Sequence, residues 1–252
     1  RLVHQGMITK DGAKMSKSKG NVVSPDELIE KFGADTVRLY TLFIGPPEKD
    51  AEWSDRGAEG SFRFLKRVWN LLEVFNSANG TEVDTVKEED LIRKMHQSIK
   101  KVTDDIDGAF HFNTAISAIM ELVNQLYEPI NKTGKICYKK ETLKEVLETM
   151  VLLMAPFVPH IAEEMNTRLG NDKSVFLMNW PMYDEEKIKS DTIEIPVQIN
   201  GKLRGTIVAA RDVQEDKIKE MVFKDDKIKE WVHGKEIRKW IIIQNKLVNI
   251  VI

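Results

Sequence analysis

Two lysines three residues apart, Lys14 and Lys17, are interleaved with Ser16 and Ser18 and followed by Lys19-Gly20-Asn21. Ammonium groups and hydroxyl donors on a Gly- and Ser-containing loop suit a polyphosphate whose charge moves during reaction. Displacement at an α-phosphate builds negative charge on the departing pyrophosphate, and cations that close on it stabilise that change. On a mobile loop such contacts form chiefly in the transition state, where they raise the rate. Lys14 and Lys17 are therefore the catalytic candidates, and Lys14, Met15, Ser16, Lys17 and Ser18 together are the polyphosphate-binding candidates. Residues 1–20 hold five Lys or Arg against one Asp, a local surplus in a chain of net charge −2. A solvated basic loop has the same composition, so residue type alone leaves both readings open.

A second layer of candidates is basic. Arg63, Lys66 and Arg67 fall on one side of a helical pattern. Lys202 and Arg204 flank an Asn200-Gly201 turn, and Lys235, Arg238 and Lys239 form a third group. Each could neutralise nucleic-acid phosphates, and each could equally be a solvated face or rim. Strand alternation puts Lys202 and Arg204 on one face and Leu203 on the other, as an anchor to the core. With 38 Lys+Arg against 40 Asp+Glu, a uniformly basic nucleic-acid binder is excluded, so RNA contact has to come from local patches.

Other chemistry is weakly supported. The single cysteine, Cys137, excludes a disulfide framework and a Cys-rich zinc site and suits a reducing cytosol. The five histidines show no metal-ligand spacing, so no metal residues are assigned. His160 and the Met150, Met154, Met165 series read as helix packing, and Trp53 as packing under the loop. No apolar run reaches the length of a membrane span. The chain begins Arg1-Leu2-Val3-His4 and reads as sequence from the middle of a protein, so a fragment is expected.

Three zones have to position these residues. In residues 1–55, Ser24-Pro25-Asp26-Glu27 carries a capping-box pattern with Pro at the first helical position, ahead of short helices over 25–32 and 35–44. Residues 56–170 are helical. Phe62, Leu65, Val68, Trp69, Leu72 and Phe75 recur at three- and four-residue steps, and Leu91, Ile92, Met95, Ile99, Val102 and Ile106 repeat the pattern. Breaks are expected at Asn79-Gly80 and Asp107-Gly108, capping at Ser54, Asn113 and a Thr85–Glu88 box, and a kink at Pro156 and Pro159. Amphipathic helices joined by short loops make an antiparallel bundle. Residues 171–191 read as a polar linker. In 192–252 the period changes to two, with hairpins around Asn200-Gly201 and Gln244-Asn245-Lys246 and helices between them, a small α+β domain. The fold expected is multidomain and mainly α.

Lys14–Ser18 matches the KMSKS signature, and the chain resembles class I aminoacyl-tRNA synthetases. Lys19–Pro25 and Gly33-Ala34-Asp35-Thr36-Val37-Arg38-Leu39-Tyr40 are similar to the valine, isoleucine, leucine and methionine subgroup. Gly45–Asp55, Glu59–Trp69, Val197–Gly205 and Leu247–Val251 resemble the bacterial-type leucyl family, as, more weakly, do Phe112–Ser117 and Ala155–Glu164.

The resemblance covers essentially the whole chain. It implies ATP as substrate, contacted by Lys14–Ser18 with Lys17 the first choice for direct contact, and Mg²⁺ in the full-length enzyme, with no cofactor held by this fragment. It implies an anticodon-stem-binding bundle, a C-terminal tRNA-binding domain, and tRNA(Leu) as partner, met by shape and backbone more than by bases. The HIGH-type motif, the nucleotide-binding half and the editing insertion are absent from this sequence, so the fragment alone is expected to be inactive. A cytoplasmic monomer with no membrane contact is expected. A valine or methionine ligase and a stand-alone RNA-binding module remain as alternatives at this stage. The hairpin-rich tail speaks against a coiled-coil ending, and one cysteine against a zinc-bearing tail.

Overall fold

The computed structural model describes residues 4–78, 82–108, 110–189, 192–232, 234–235 and 237–252, without the side chains at 192, 193, 226 and 227. The start at Arg1–Val3, the Asn79-Gly80 break, Asp191 and His233 lie outside the described residues. The chain divides into two units, Arg1–Ile188 and Lys189–Ile252.

The first unit opens with a small sheet of β1 (Ile8–Lys10), β2 (Ala13–Lys14) and β3 (Ala51–Glu52) in the order β2-β1-β3. β1 and β2 form an antiparallel hairpin, and β1 pairs parallel with β3. Between them lie α1 (Pro25–Phe32) and α2 (Ala34–Phe43). The bundle follows as α3 (Asp55–Ser77), α4 (Thr85–Asp107), α5 (Phe112–Thr133), α6 (Lys140–Met154) and α7 (Pro159–Arg168). The apolar stripes meet inside it: Val68, Leu71, Leu91, Val102, Leu122, Val146, Met150 and Met165 are fully inaccessible. Each Val, Leu or Met so buried contributes about 1.5–3 kcal/mol relative to exposure. The α6–α7 break falls at Pro156 and Pro159, with Pro159 at the first helical position of α7, where a missing N–H costs nothing.

Several helix starts differ from expectation. α4 is capped by Asp84, whose carboxylate accepts the Lys87 N–H at 3.1 Å. Glu88 therefore closes no box with Thr85. It turns to α6, where it accepts the Lys139 N–H at 3.0 Å and pairs with the Lys139 ammonium at 3.2 Å. Burial pushes the Glu88 carboxyl up, but the Thr142 hydroxyl and the Lys139 N–H and ammonium outweigh it and hold it below the ordinary glutamate range. Ser24 and Ser54 occupy N-cap positions without a side-chain bond, and α5 starts at Phe112, one residue ahead of Asn113.

The stretch expected as a linker is built into the first unit as far as α8 (Glu185–Ile188). Val175 is buried, and its N–H donates to Glu163 Oε2 at 2.9 Å. The Trp180 indole N–H donates to Thr103 Oγ1 at 2.8 Å. The Asp184 N–H donates to Nδ1 of His96 at 3.2 Å. Burial, reinforced by Lys187, pushes the His96 pKa down, so its neutral ring can accept that bond.

The second unit is one sheet of β4 (Thr192–Ile199), β5 (Lys202–Ala210), β6 (Lys239–Ile243) and β7 (Leu247–Val251), in the order β5-β4-β7-β6. Both hairpins are antiparallel, and the central β4–β7 pair is parallel. α9 (Glu215–Lys224) and α10 (Asp226–Val232) pack against it through Ile218, Val222 and Ile228, over Ile195, Val197, Val248 and Ile250. At Gly205 a Cβ would meet Ile228 Cγ1 at 2.8 Å, so only glycine lets α10 come this close to β5.

Candidate functional site

The Lys14–Ser18 segment runs off the end of the β1–β2 hairpin. Asp11 and Gly12, both at positive φ (56° and 68°), make the two-residue turn whose twist suits a hairpin. Ser16 is extended, Lys17–Lys19 make one 3₁₀ turn, and Gly20 at φ 66° reverses the chain. Lys14, Lys17, Ser18 and Lys19 are exposed, while Met15 and Ser16 are half-buried. The Ser16 and Ser18 hydroxyls lie 3.1 Å apart. Among the described residues, Lys14, Lys17 and Lys19 make no ion pair, whereas Lys10 faces Asp55 at 3.6 Å. The arrangement offers exposed ammonium groups and a pair of adjoining hydroxyls that can donate to a multiply charged oxyanion.

What holds this platform is the core behind it. The Trp53 N–H donates to the Thr9 carbonyl at 2.7 Å and fastens β3 to β1. The Trp53 ring meets Tyr40 edge-on at 4.8 Å, and its indole N–H donates to Asp55 at 2.9 Å. The Tyr40 hydroxyl accepts the Ser54 N–H at 2.9 Å, and Tyr40 is buried. α2 in turn is clamped to the α6–α7 corner. Asp35 accepts the Ile161 N–H at 2.7 Å and faces His160 at 2.8 Å, and Arg38 donates to the Phe157 and Pro156 carbonyls at 3.3 and 3.1 Å.

The basic candidates do not form one patch. Arg63, Lys66 and Arg67 are all exposed on α3 but enter different clefts. Lys66 lies over the Phe62 ring at 4.6 Å and lines a groove of about 640 Å³ with Phe32, Trp69 and Ile161. Arg63 and Arg67 line a neighbouring cleft of about 500 Å³, where Arg67 stacks on Tyr127 and donates to Asn124 at 3.1 Å. In the second unit, Lys202 is exposed beside the Asn200-Gly201 turn, whose residues sit at φ 49° and 78°. Arg204 is not the free outer cation that alternation predicts. Val197 pairs with Gly205 and Gln198 with Leu203, so Arg204 is the extra residue of a bulge. The bulge breaks the period of two. Leu203 is 61% exposed, and the half-buried Arg204 lies flat on Trp231 at 3.6 Å. Lys235, Arg238 and Lys239 are exposed, the last two being neighbours at the start of β6.

Residues 88–219 match the family model of the anticodon-binding domain of tRNA ligase. The chain belongs to this tRNA ligase family. Residues 1–54 also match the model of class I tRNA synthetases for I, L, M and V. The leucine–tRNA ligase of Thermotoga maritima is 50% identical over the whole chain, and that of Thermosipho melanesiensis is 52% identical over the same span. The chain spans 31% of the length of each of these curated relatives. Among solved structures, the ternary complex of Agrobacterium radiobacter K84 LeuRS with tRNA and LeuAMS matches with a TM-score of 0.74 at 33% identity, over 98% of this chain and 32% of that one.

Two features of the site are not readable from residue types. Asn21 closes the loop with its side chain, and Trp231 carries Arg204. The signal available for Asn21 was its place directly after a turn glycine, where Asn side chains bond back to nearby backbone.

Proposed function

We propose that this chain is the C-terminal part of a leucine–tRNA ligase, and that it brings the Lys14–Ser18 loop to the activation of leucine by ATP. The observation that carries this reading is identity of 50–52% along the entire chain to relatives named for leucine, joined to an intact, exposed signature loop. Lys14 and Lys17 stabilise the polyphosphate, Lys17 being the first choice for direct contact, while Ser16 and Ser18 supply hydrogen bonds. As the bond to the leaving pyrophosphate lengthens, its growing charge meets these ammonium groups, so they stabilise the transition state more than the bound substrate. Mg²⁺ enters with ATP as its counter-ion. Among the described residues no group of three or more His, Cys, Asp or Glu is placed to hold a metal.

In this reading the bundle and the small α+β unit bind tRNA(Leu), with Arg63, Lys66, Arg67, Lys202, Lys235, Arg238 and Lys239 as the phosphate-facing candidates, while Arg204 is held on Trp231. Lys202 is the one whose exposure and turn geometry best fit that task. The leucine pocket and the rest of the nucleotide site belong to the remainder of the ligase, so this chain alone is inactive. The protein works as a monomer in the cytoplasm. No helix among the described residues is long and apolar enough to cross a membrane. The test is an amino-acid panel in ATP–pyrophosphate exchange by the full-length protein that contains this chain. Leucine-dependent exchange is expected. Exchange with valine or methionine instead, or none, would overturn the assignment.

A further inference from the structure

We propose that Asn21 is the positioning residue of the loop: its side-chain amide takes the place of a neighbouring strand's peptide group along β2. The inference rests on the reading of Lys14–Ser18 as a polyphosphate clamp. Among the described residues β2 is an edge strand, paired on one side with β1 and with no strand on the other. Asn21 Oδ1 accepts the Ser16 N–H at 2.9 Å, and Asn21 Nδ2 donates to the Lys14 carbonyl at 3.3 Å. These two groups flank Met15. In a parallel ladder a single residue likewise donates to the carbonyl before its partner and accepts from the N–H after it. The amide nitrogen has two hydrogens, and it also reaches the Lys10 carbonyl at 3.1 Å on β1. One side chain therefore ties β1, β2 and the extended Ser16 together. Gly20 at φ 66° turns the chain back so that Asn21 arrives there.

The consequence falls on the lysines. Lys14 ends the strand that Asn21 completes, and Lys17 begins the 3₁₀ turn one residue beyond the Ser16 N–H that Asn21 holds. With the amide in place, both ammonium groups start from a fixed backbone. Without it, the Ser16 N–H and Lys14 carbonyl turn to water and the loop must be ordered at each turnover. Aspartate is the same size but has no donor. It would keep the Ser16 bond and set carboxylate oxygen against the Lys10 and Lys14 carbonyls.

The test has a structural and a kinetic arm. In the 252-residue chain, hydrogen exchange at the Ser16 amide should be slow in the wild type, fast in Asn21→Ala, and still slowed in Asn21→Asp. In the full-length ligase containing this chain, both substitutions should lower kcat for leucine activation, Asn21→Ala by about 10²-fold, the scale of a reacting group misplaced by an ångström. KM for leucine should not change. Lys17→Ala should be costly in the wild type and add little on top of Asn21→Ala. A fast-exchanging Ser16 amide in the wild type overturns the proposal, as does full activity of Asn21→Ala while Lys17→Ala remains costly. A harmless Lys17→Ala would instead overturn the clamp itself, and Asn21's positioning role with it.

Discussion

Replacing Asp35 should cost the first unit more than replacing its ion-pair partner. The Asp35 side chain is only 12% exposed and accepts the Ile161 N–H at 2.7 Å, in the first turn of α7. A hydrogen bond to a charged group contributes about 1.5–3 kcal/mol, and a carboxylate at a helix N-terminus adds about 0.3–1 kcal/mol. His160 is different: 75% of its side chain is exposed, so its 2.8 Å contact with Asp35 is worth about 0–1 kcal/mol. Asp35→Ala should therefore destabilise the first unit by about 2–4 kcal/mol. Asp35→Asn should cost less, because an amide oxygen still accepts the N–H. His160→Ala should cost under about 1 kcal/mol. Urea unfolding of the 252-residue chain, followed by helical circular dichroism, reads these values. If Asp35→Ala left the transition unmoved, or His160→Ala cost as much as Asp35→Ala, the capping argument would be wrong.

Three further outcomes are expected. The chain alone should show neither aminoacylation nor ATP–pyrophosphate exchange, and leucine-dependent exchange by the purified chain would refute the division of the nucleotide site. Glu88 has a carboxyl pKa lowered by folding, so its contribution is present above the unfolded value of about 4.3 and is lost as pH falls through the lower folded value. Glu88→Gln should accordingly flatten the loss of stability on acidification, and identical acid titrations of variant and wild type would contradict this. Lys202→Ala in the full-length ligase should lower the salt dependence of tRNA binding by roughly one phosphate contact. Arg204→Ala should instead lower the melting temperature of the second unit, because Arg204 is stacked on Trp231. Equal salt slopes for Lys202→Ala and wild type would remove that hairpin from the interface.

The bundle was legible because burial repeats at the helical period. Val68, Leu72, Leu91, Met95 and Leu122 could be placed inside from spacing alone, and all are buried. The β4–β5 hairpin was legible for a similar reason, since Asn200-Gly201 between alternating runs leaves few other backbone paths. Features with no period were lost. The bulge at Arg204 inserts one residue and turns the alternation over, so Leu203 faces water and the cation packs. The stretch from 171 to 188 has anchors at Val175, Trp180 and Tyr183, spaced as neither helix nor strand, and so reads as linker although each meets the bundle. Caps were misplaced by a residue or two, because Asp84 and Thr85 are both able to cap and only the path of the chain decides. In the loop, residue types singled out the lysines, but Asn21 bonds to backbone five to eleven residues away, a placement composition cannot reveal.

The decisive measurement for the proposed action of Lys17 on charge developing at the pyrophosphate is single-turnover formation of leucyl-adenylate in the full-length ligase containing this chain, with Lys17 replaced by Ala. Loss of one preorganised donor at a transition state corresponds to a rate lower by about 10²–10³-fold, with leucine affinity unchanged. An adenylate-forming rate equal to that of the wild type would contradict the claim.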